Sequence, residues 1–181
     1  LEALKKRGIE VLLLSDRIDE WLMGYLNSYK EHQFVDVTRD GLELPGESGG
    51  DEKEEKEQSK EHKALFERIK DALVDQVSDV KPSVRLTDSA AVLILTEQDM
   101  GPQMRQIMEA AGQSMPVSKP ILEVNAEHGL LKRLEGETDD DRFGELAHLV
   151  YDHAQLGAEG KLEDAPGYLR RVNALLAELA Q

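Results

Sequence analysis

Residues 120–134 read Pro-Ile-Leu-Glu-Val-Asn-Ala-Glu-His-Gly-Leu-Leu-Lys-Arg-Leu, and this stretch joins a strand pattern to a helix pattern. The short apolar run over residues 120–124 predicts a strand. Asn125 follows it and is a residue type that can cap the N-terminus of a helix. A short helix with three leucines is predicted next, containing Leu130, Leu131 and Leu134.

More strands and helices are predicted upstream of this stretch. Apolar residues follow helical spacing through residues 61–77. Residues 80–86 and 91–96 are strand candidates, and Thr87-Asp88-Ser89 between them is short and polar enough for a hairpin. A further helix is predicted over residues 100–111. These elements indicate an α/β domain with a three-stranded sheet.

Two amphipathic helices are predicted at the end of the chain. Thr138 with Asp141 resembles a capping box, and Asp164 with Pro166 marks the start of the last helix. Both helices have more apolar surface than one contact covers, so we predict that they pair with a second copy in a four-helix bundle. Packing of both helices against the rest of the same chain is the alternative. The residues predicted at this dimer interface are Leu146, Leu149, Val150, Tyr168, Leu169, Val172, Leu175, Leu176 and Leu179.

The first 40 residues predict a smaller αβαβ piece, an αβα unit followed by one more strand. A helix end over residues 1–7 closes at Gly8, and a buried strand (9–14), a helix (18–26) and a second strand (32–38) follow. The chain begins inside a helical pattern, and we expect it to be part of a longer protein. The overall fold class is therefore α+β.

A polar, acidic stretch separates the two predicted domains. Residues 41–63 contain Pro45, four glycines and the charged run 51–57, but almost no apolar residue. Such a segment cannot bury enough surface to offset the entropy of ordering it, so we predict a flexible linker. An acidic docking site is the alternative. Residues 64–181 then form the second domain.

Composition excludes several classes of function. The chain has 22 Lys and Arg against 37 Asp and Glu, a net charge of −15, which disfavours nucleic-acid binding because phosphate contacts need clustered basic residues. It has no cysteine, so it has no disulfide, thiolate nucleophile or Cys-ligated metal, and a reducing cytoplasm suits it. No apolar run approaches the length of a membrane span, and the pattern of the first residues does not predict a signal peptide.

Catalytic and metal-binding patterns are missing as well. The five histidines have no paired ligand spacing, so no metal site is expected, and no phosphate-binding glycine motif occurs. Ser15-Asp16-Arg17 could offer a nucleophile and an acid after a strand, which leaves an enzyme site between Ser15 and Glu20 as an alternative function. A helix-entry turn explains these residues better. A purely structural interaction module is the other alternative.

Two apolar features are candidates for binding other proteins. Met100, Met104, Ile107 and Met108 share one face of a predicted helix, and flexible methionines suit surfaces that accept varied partners. Trp21 is the only tryptophan and lies away from the apolar stripe predicted for its helix, which contains Ile18, Leu22 and Tyr25. Core packing is the alternative for both features.

Several blocks of this sequence resemble the 90-kDa heat-shock protein family, in its bacterial branch of high-temperature protein G proteins. Residues 8–21, Gly-Ile-Glu-Val-Leu-Leu-Leu-Ser-Asp-Arg-Ile-Asp-Glu-Trp, are the most specific block. Arg85-Leu-Thr-Asp88, the helix ending Ala-Ala-Gly112, residues 120–125 and Arg170-Arg-Val-Asn-Ala-Leu-Leu176 are similar in order and content. The resemblance covers the whole chain apart from the acidic linker.

This resemblance implies an ATP-driven molecular chaperone of the heat-shock response in the cytoplasm. Residues 1–40 would be the end of its middle domain, and residues 64–181 its C-terminal dimerisation domain. ATP and Mg would bind upstream, so no cofactor and no catalysis are expected here. The last residues lack the acidic tail that docks tetratricopeptide co-chaperones.

The resemblance also implies two kinds of partner, a second copy of the chain and partly folded client proteins. The dimer would form through the C-terminal helices. The residues that the resemblance implies for client contact are Glu20, Trp21, Met100, Met104, Ile107 and Met108.

Overall fold

A computed structural model describes residues 2–16, 18–42, 58–96, 99, 107–108, 110–112 and 118–180, without the side chains of Glu20 and Leu179. Most of the predicted linker therefore lies outside the described residues. The helices are α1 Glu2–Lys6, α2 Asp19–Met23, α3 Lys63–Ala72, α4 Gly129–Glu135, α5 Asp140–Glu159 and α6 Ala165–Leu179. The strands are β1 Ser28–Tyr29, β2 His32–Gln33, β3 Asp79–Pro82, β4 Ala91–Ile94 and β5 Ile121–Val124.

Strand β5 is the centre of a mixed three-stranded sheet, with the order β3-β5-β4. It runs parallel to β3, with Asp79 opposite Ile121, and antiparallel to β4, with Ala91 opposite Val124. The predicted hairpin between β3 and β4 is wrong, because β5 lies between them. Helices with this small mixed sheet confirm the α+β class.

The main apolar core covers β5. Leu122 and Val124 are fully buried, and every residue of β5 is buried. Ile69 and Leu73 reach the core from α3, on the helical face that the spacing predicts. Each such aliphatic side chain stabilises the fold by roughly 1.5–3 kcal/mol. The same core includes residues of α4 and α5, namely Leu131, Leu134, Phe143, Ala147 and Val150.

The helix caps differ partly from the prediction. His128, and not Asn125, caps α4, since its Nδ1 accepts from the Leu130 N–H at 3.1 Å. The Asn125 side chain instead accepts from the Glu127 N–H and closes the preceding turn. Asp139, and not Thr138, caps α5 by accepting from the N–H of residue 142 at 2.9 Å. Asp164 caps α6 as predicted.

The N-terminal segment, residues 2–42, has less regular structure than predicted. No strand forms over residues 9–14 because no described strand pairs with them, and Leu13 is 77% exposed. The predicted strand 32–38 shrinks to β2, which pairs with β1 in a two-residue antiparallel ladder. Helix α2 spans five residues where about ten were predicted, and turn residues follow it from Gly24.

Helix α1 is attached to the turn between β3 and β4. The Glu2 carboxylate accepts from the backbone N–H groups of Thr87, Asp88 and Ser89 at 2.7, 2.7 and 3.1 Å, and from the Ser89 hydroxyl. The Ala3 N–H donates to the Arg85 carbonyl. Burial raises the pKa of Glu2, but these hydrogen bonds outweigh it and lower the pKa from 4.5 to about 2.

Glu2 is expected to make the attachment of α1 sensitive to acid. Because its pKa in the folded chain lies below the unfolded value of 4.5, ionised Glu2 stabilises the docked helix above that pH. The contribution is lost as the pH falls from 4.5 through 2. Hydrogen exchange of the Ala3 amide should show a protection loss in Glu2→Gln at neutral pH that disappears near pH 2.

Glu10→Gln is the matched control, since Glu10 is exposed and lies in the same segment. It should leave Ala3 protection unchanged at every pH. Equal protection in wild type and Glu2→Gln at neutral pH would contradict the role of the carboxylate.

Candidate functional site

Trp21 lies in a patch of exposed apolar side chains, here called the Trp21 patch, with Ile18, Leu22, Tyr25 and Leu26. Trp21 is 54% exposed and Tyr25 is 75% exposed. Their rings meet edge to face with centroids 5.0 Å apart, a contact worth about 0.5–1.5 kcal/mol. The predicted burial of Ile18, Leu22 and Tyr25 along one stripe is wrong in the described residues, since all three are exposed.

A short turn presents this patch. The Asp19 carboxylate accepts from the Asp16 N–H at 2.8 Å, and the Asp19 N–H donates to the Asp16 carbonyl at 3.0 Å. This reciprocal pair starts α2, as a helix-entry turn does. Glu20 lies in α2 beside Trp21, and its side chain is outside the described part.

The methionine helix falls largely outside the described residues. Met100 and Met104 are not described, whereas Ile107 is 45% exposed and Met108 is half-buried. The Ala111 N–H donates to the Ile107 carbonyl at 3.0 Å, which is a helical hydrogen bond. Gly112 has a φ of 75°, the left-handed conformation that a helix-ending glycine adopts, so the predicted end of this helix is confirmed.

Helices α5 and α6 pack antiparallel through polar side chains. Arg171 donates to the Asp152 carboxylate through Nη2 at 2.6 Å and Nε at 3.2 Å, and both side chains are more than 90% buried. The His153 ring nitrogen lies 3.2 Å from the Tyr168 hydroxyl. At the far end, Arg142 Nη1 donates to Glu178 at 2.7 Å. These three contacts fix α6 along the length of α5.

The residues predicted at a dimer interface fall into two groups. Leu146, Leu149 and Val150 on α5 are buried within the single chain. Leu169 and Leu176 on α6 are both 58% exposed, and half-buried Val172 lies between them on the same helical face. We call Leu169, Val172 and Leu176 the α6 stripe. Tyr168 is half-buried, and the Leu179 side chain is outside the described residues.

Leu175 belongs to a different face of α6. It is half-buried and packs against the main core. A charged residue at this position would therefore disturb the fold of one chain as well as any contact between chains.

The described residues offer no arrangement for metal or covalent chemistry. No group of three or more His, Asp or Glu side chains among them could hold a metal ion. Within the described part, Ser15 makes no hydrogen bond to a histidine that could activate it. A groove of about 430 Å³ lies beside the last turns of α5, lined by small apolar residues together with His128 and His153.

A sequence model of the Hsp90 protein family matches residues 1–181, the whole chain. The chain belongs to the Hsp90 family. Members of this family are molecular chaperones that dimerise and act on client proteins. Within the described residues, none of this Hsp90 chain's helices is both long enough and apolar enough to cross a membrane.

Sequence reasoning missed Tyr25 as part of the exposed surface of this Hsp90 chain. Trp21 and Tyr25 are four residues apart, a spacing at which side chains on one helix meet. This spacing could have indicated from the sequence that the two rings lie together. The buried Arg171–Asp152 pair had no comparable signal, since the two residues are 19 apart and lie on different helices.

The Arg171–Asp152 pair is expected to hold α6 in place. Asp152→Ala leaves a buried guanidinium whose next carboxylate, Asp164, is 3.9 Å away, and should lower the free energy of unfolding by about 3–5 kcal/mol. Urea unfolding measures this. Glu127→Ala removes an exposed partner of Lys132 and should leave the free energy of unfolding nearly unchanged. Equal losses in the two variants would contradict this role.

Proposed function

We propose that this chain is the dimerisation and client-binding part of an ATP-dependent Hsp90 chaperone. The observation that carries the proposal is the Trp21 patch, an exposed apolar surface on a member of a chaperone family. Monomeric soluble proteins rarely expose large contiguous apolar patches, and such patches mark sites of protein contact. Partly folded proteins expose apolar side chains and are therefore the matching class of partner.

Chemical variety within the patch supports binding to many clients. Trp21 and Tyr25 combine large apolar faces with a polar edge, and aromatic anchors of this kind dominate the energy of protein interfaces. Ile107, exposed at the end of the methionine helix, offers a second apolar site. We propose that Glu20, Met100, Met104 and Met108 contribute to the same client surface.

The α6 stripe supports dimerisation through the C-terminal helices. Its two exposed leucines have no cover within the described part of the chain. Pairing α5 and α6 with the same helices of a second copy would bury them, and a stable interface needs about 1,200–2,000 Å² in total. The buried residues Leu146, Leu149 and Val150 would then support this surface from below.

Nucleotide chemistry belongs to another part of the proposed chaperone. As membership of the Hsp90 family implies, we propose that a domain outside residues 1–181 binds ATP and Mg. We propose that the parent protein belongs to the bacterial, cytoplasmic branch. An enzyme site around Ser15 is the weaker candidate, because Ser15 and Asp16 lie in the turn that starts α2.

Removing the aromatic pair should weaken client binding without unfolding the chain. The double variant Trp21→Ala with Tyr25→Ala is expected to lower affinity for reduced, carboxymethylated lactalbumin about tenfold, since aromatic anchors contribute roughly 1–2 kcal/mol. Fluorescence anisotropy of the labelled probe measures the affinity. The unfolding free energy should fall by no more than the ring contact contributes, about 0.5–1.5 kcal/mol, because both rings are exposed.

Tyr29→Ala is the matched control for this experiment. Tyr29 is 61% exposed but lies in β1, away from α2. Its removal should leave the affinity unchanged. A double variant that binds the probe as tightly as wild type would exclude the Trp21 patch as a client surface.

Charge on the α6 stripe should produce monomers. Leu169→Glu with Leu176→Glu places two carboxylates where the proposed partner packs, and sedimentation at micromolar concentration should change from dimer to monomer. Both positions are exposed in the single chain, so helical circular dichroism should be retained.

Val74→Glu tests whether a new charge at any exposed position produces monomers. Val74 is 60% exposed and follows α3, outside the helix pair. This variant should sediment like wild type. A monomeric wild type at high concentration would contradict the dimer proposal, as would a dimer that persists in the double variant.

A further inference from the structure

A buried ion pair joins β5 to the loop after β3. Arg85 donates to both carboxylate oxygens of Glu123, through Nε at 2.7 Å and Nη2 at 2.8 Å. The Ser83 hydroxyl donates to the same carboxylate at 2.8 Å. The two charged side chains are 5% and 6% exposed. This bidentate geometry holds the guanidinium plane in one orientation.

The guanidinium also reaches the N-terminal segment. Arg85 Nη1 donates to the Val37 carbonyl at 2.6 Å, and Nη2 donates to the Arg39 carbonyl at 3.0 Å. Glu123 thus fixes Arg85 within the C-terminal unit, residues 58–180, while Arg85 binds two backbone carbonyls of residues 2–42. Arg85 is thus a buried side chain that connects the two parts of the described chain, alongside more exposed contacts.

Apolar packing does not connect these parts in the same way. The small N-terminal cluster consists entirely of residues from the first 42: Ala3, Leu4, Ile9, Val11, Val37 and Leu42. All residues of the main core come from Leu65 or later. The hydrophobic effect therefore stabilises each part internally and contributes little across the boundary.

The other contacts across the boundary are polar. The Asp40 N–H donates to the Leu95 carbonyl, and the Leu95 N–H donates to the Thr38 carbonyl. The partly exposed Glu2 carboxylate binds the turn at residues 87–89, and Arg39 Nη1 donates to the carbonyls of Thr96 and Asp99. Lys81 pairs with Asp40 at 2.7 Å, with both side chains about 30% exposed. Water can replace such partly exposed partners at small cost, whereas the buried guanidinium and its carbonyls have fewer substitutes.

We propose that Arg85, held by Glu123, is the positioning residue that fixes the orientation of the N-terminal segment on the C-terminal unit. Loss of its two carbonyl contacts lets the segment turn about the remaining Glu2 attachment of α1, while each part stays folded. Because the segment contains the Trp21 patch, Arg85 also sets where that patch faces relative to α6. Only this last consequence rests on the proposed function.

Electron spin resonance distances test the proposal directly. The chain has no cysteine, so Glu31→Cys and Asp71→Cys place two unique labels at exposed positions, one in each part. Labelled chains are mixed with an excess of unlabelled chains, which leaves only distances within one chain. This readout requires neither client binding nor dimerisation, so it separates the proposal from the proposed function.

The decisive variant combines Ser83→Ala, Arg85→Met and Glu123→Leu. It replaces the buried pair and the hydroxyl by apolar groups, so that no buried charge remains and the C-terminal unit can fold. We expect the narrow wild-type distance distribution to broaden. Protection of the Asp40 and Leu95 amides should be lost, while exchange of core amides such as Leu122 stays slow. Lys81→Met, the control at the partly exposed pair, should keep the wild-type distribution.

A folded triple variant with the wild-type distribution would overturn the proposal, as would Lys81→Met broadening it equally. If the triple variant does not fold, the distance distribution of Arg85→Lys tests the proposal instead. A single ammonium keeps the charge beside Glu123 but lacks the fork that binds the carboxylate and two carbonyls together. Broadening in this variant supports the proposal, and an unchanged distribution contradicts it.

Discussion

Strand β5 is buried along its whole length, and the rest of the structure follows from that constraint. A fully buried strand must have partners at both edges, which places β3 on one side and β4 on the other. It also needs apolar cover, which residues of α3, α4 and α5 provide. The single charge on β5, Glu123, needs a buried cation, and the chain brings Arg85 to it.

That requirement extends beyond the sheet. A guanidinium has five N–H groups, and one carboxylate cannot accept from all of them. The remaining donors of Arg85 bind the carbonyls of Val37 and Arg39. The residue that neutralises Glu123 on β5 therefore also binds the N-terminal segment. A polar joint between two apolar clusters can open without exposing either core to water. Such a joint would suit the proposed function, in which a client-binding surface moves relative to a dimer contact.

The sequence predicts the helices of this protein better than its strand order. α3, α5 and α6 each show a continuous apolar face, and local rules for caps correctly identify Asp164. The order of the strands depends on contacts between residues that are distant in sequence. The polar turn at Thr87–Ser89 has the length and composition of a hairpin turn, although β3 and β4 do not pair. In the structure, Glu2 binds that turn from more than 80 residues away. No local pattern contains this information.

The candidate surfaces show the same division between local and distant information. Trp21 could be selected from sequence because it is the only tryptophan, but its exposure depends on what covers α2. The apolar run at residues 9–14 resembles a buried strand by composition, yet Leu12 and Leu13 are exposed in the described chain. Composition records how apolar a segment is, and only the fold decides whether water or protein contacts it.

Net charge explains how such apolar surfaces can be tolerated. The chain exposes aromatic and aliphatic side chains on α2 and α6, and surfaces of this kind promote unspecific association. Its excess of acids over bases, with a net charge of −15, makes copies repel one another at long range. A partner must therefore offer enough apolar area to overcome that repulsion. This requirement favours extended contacts with partly folded proteins or a second copy over brief collisions.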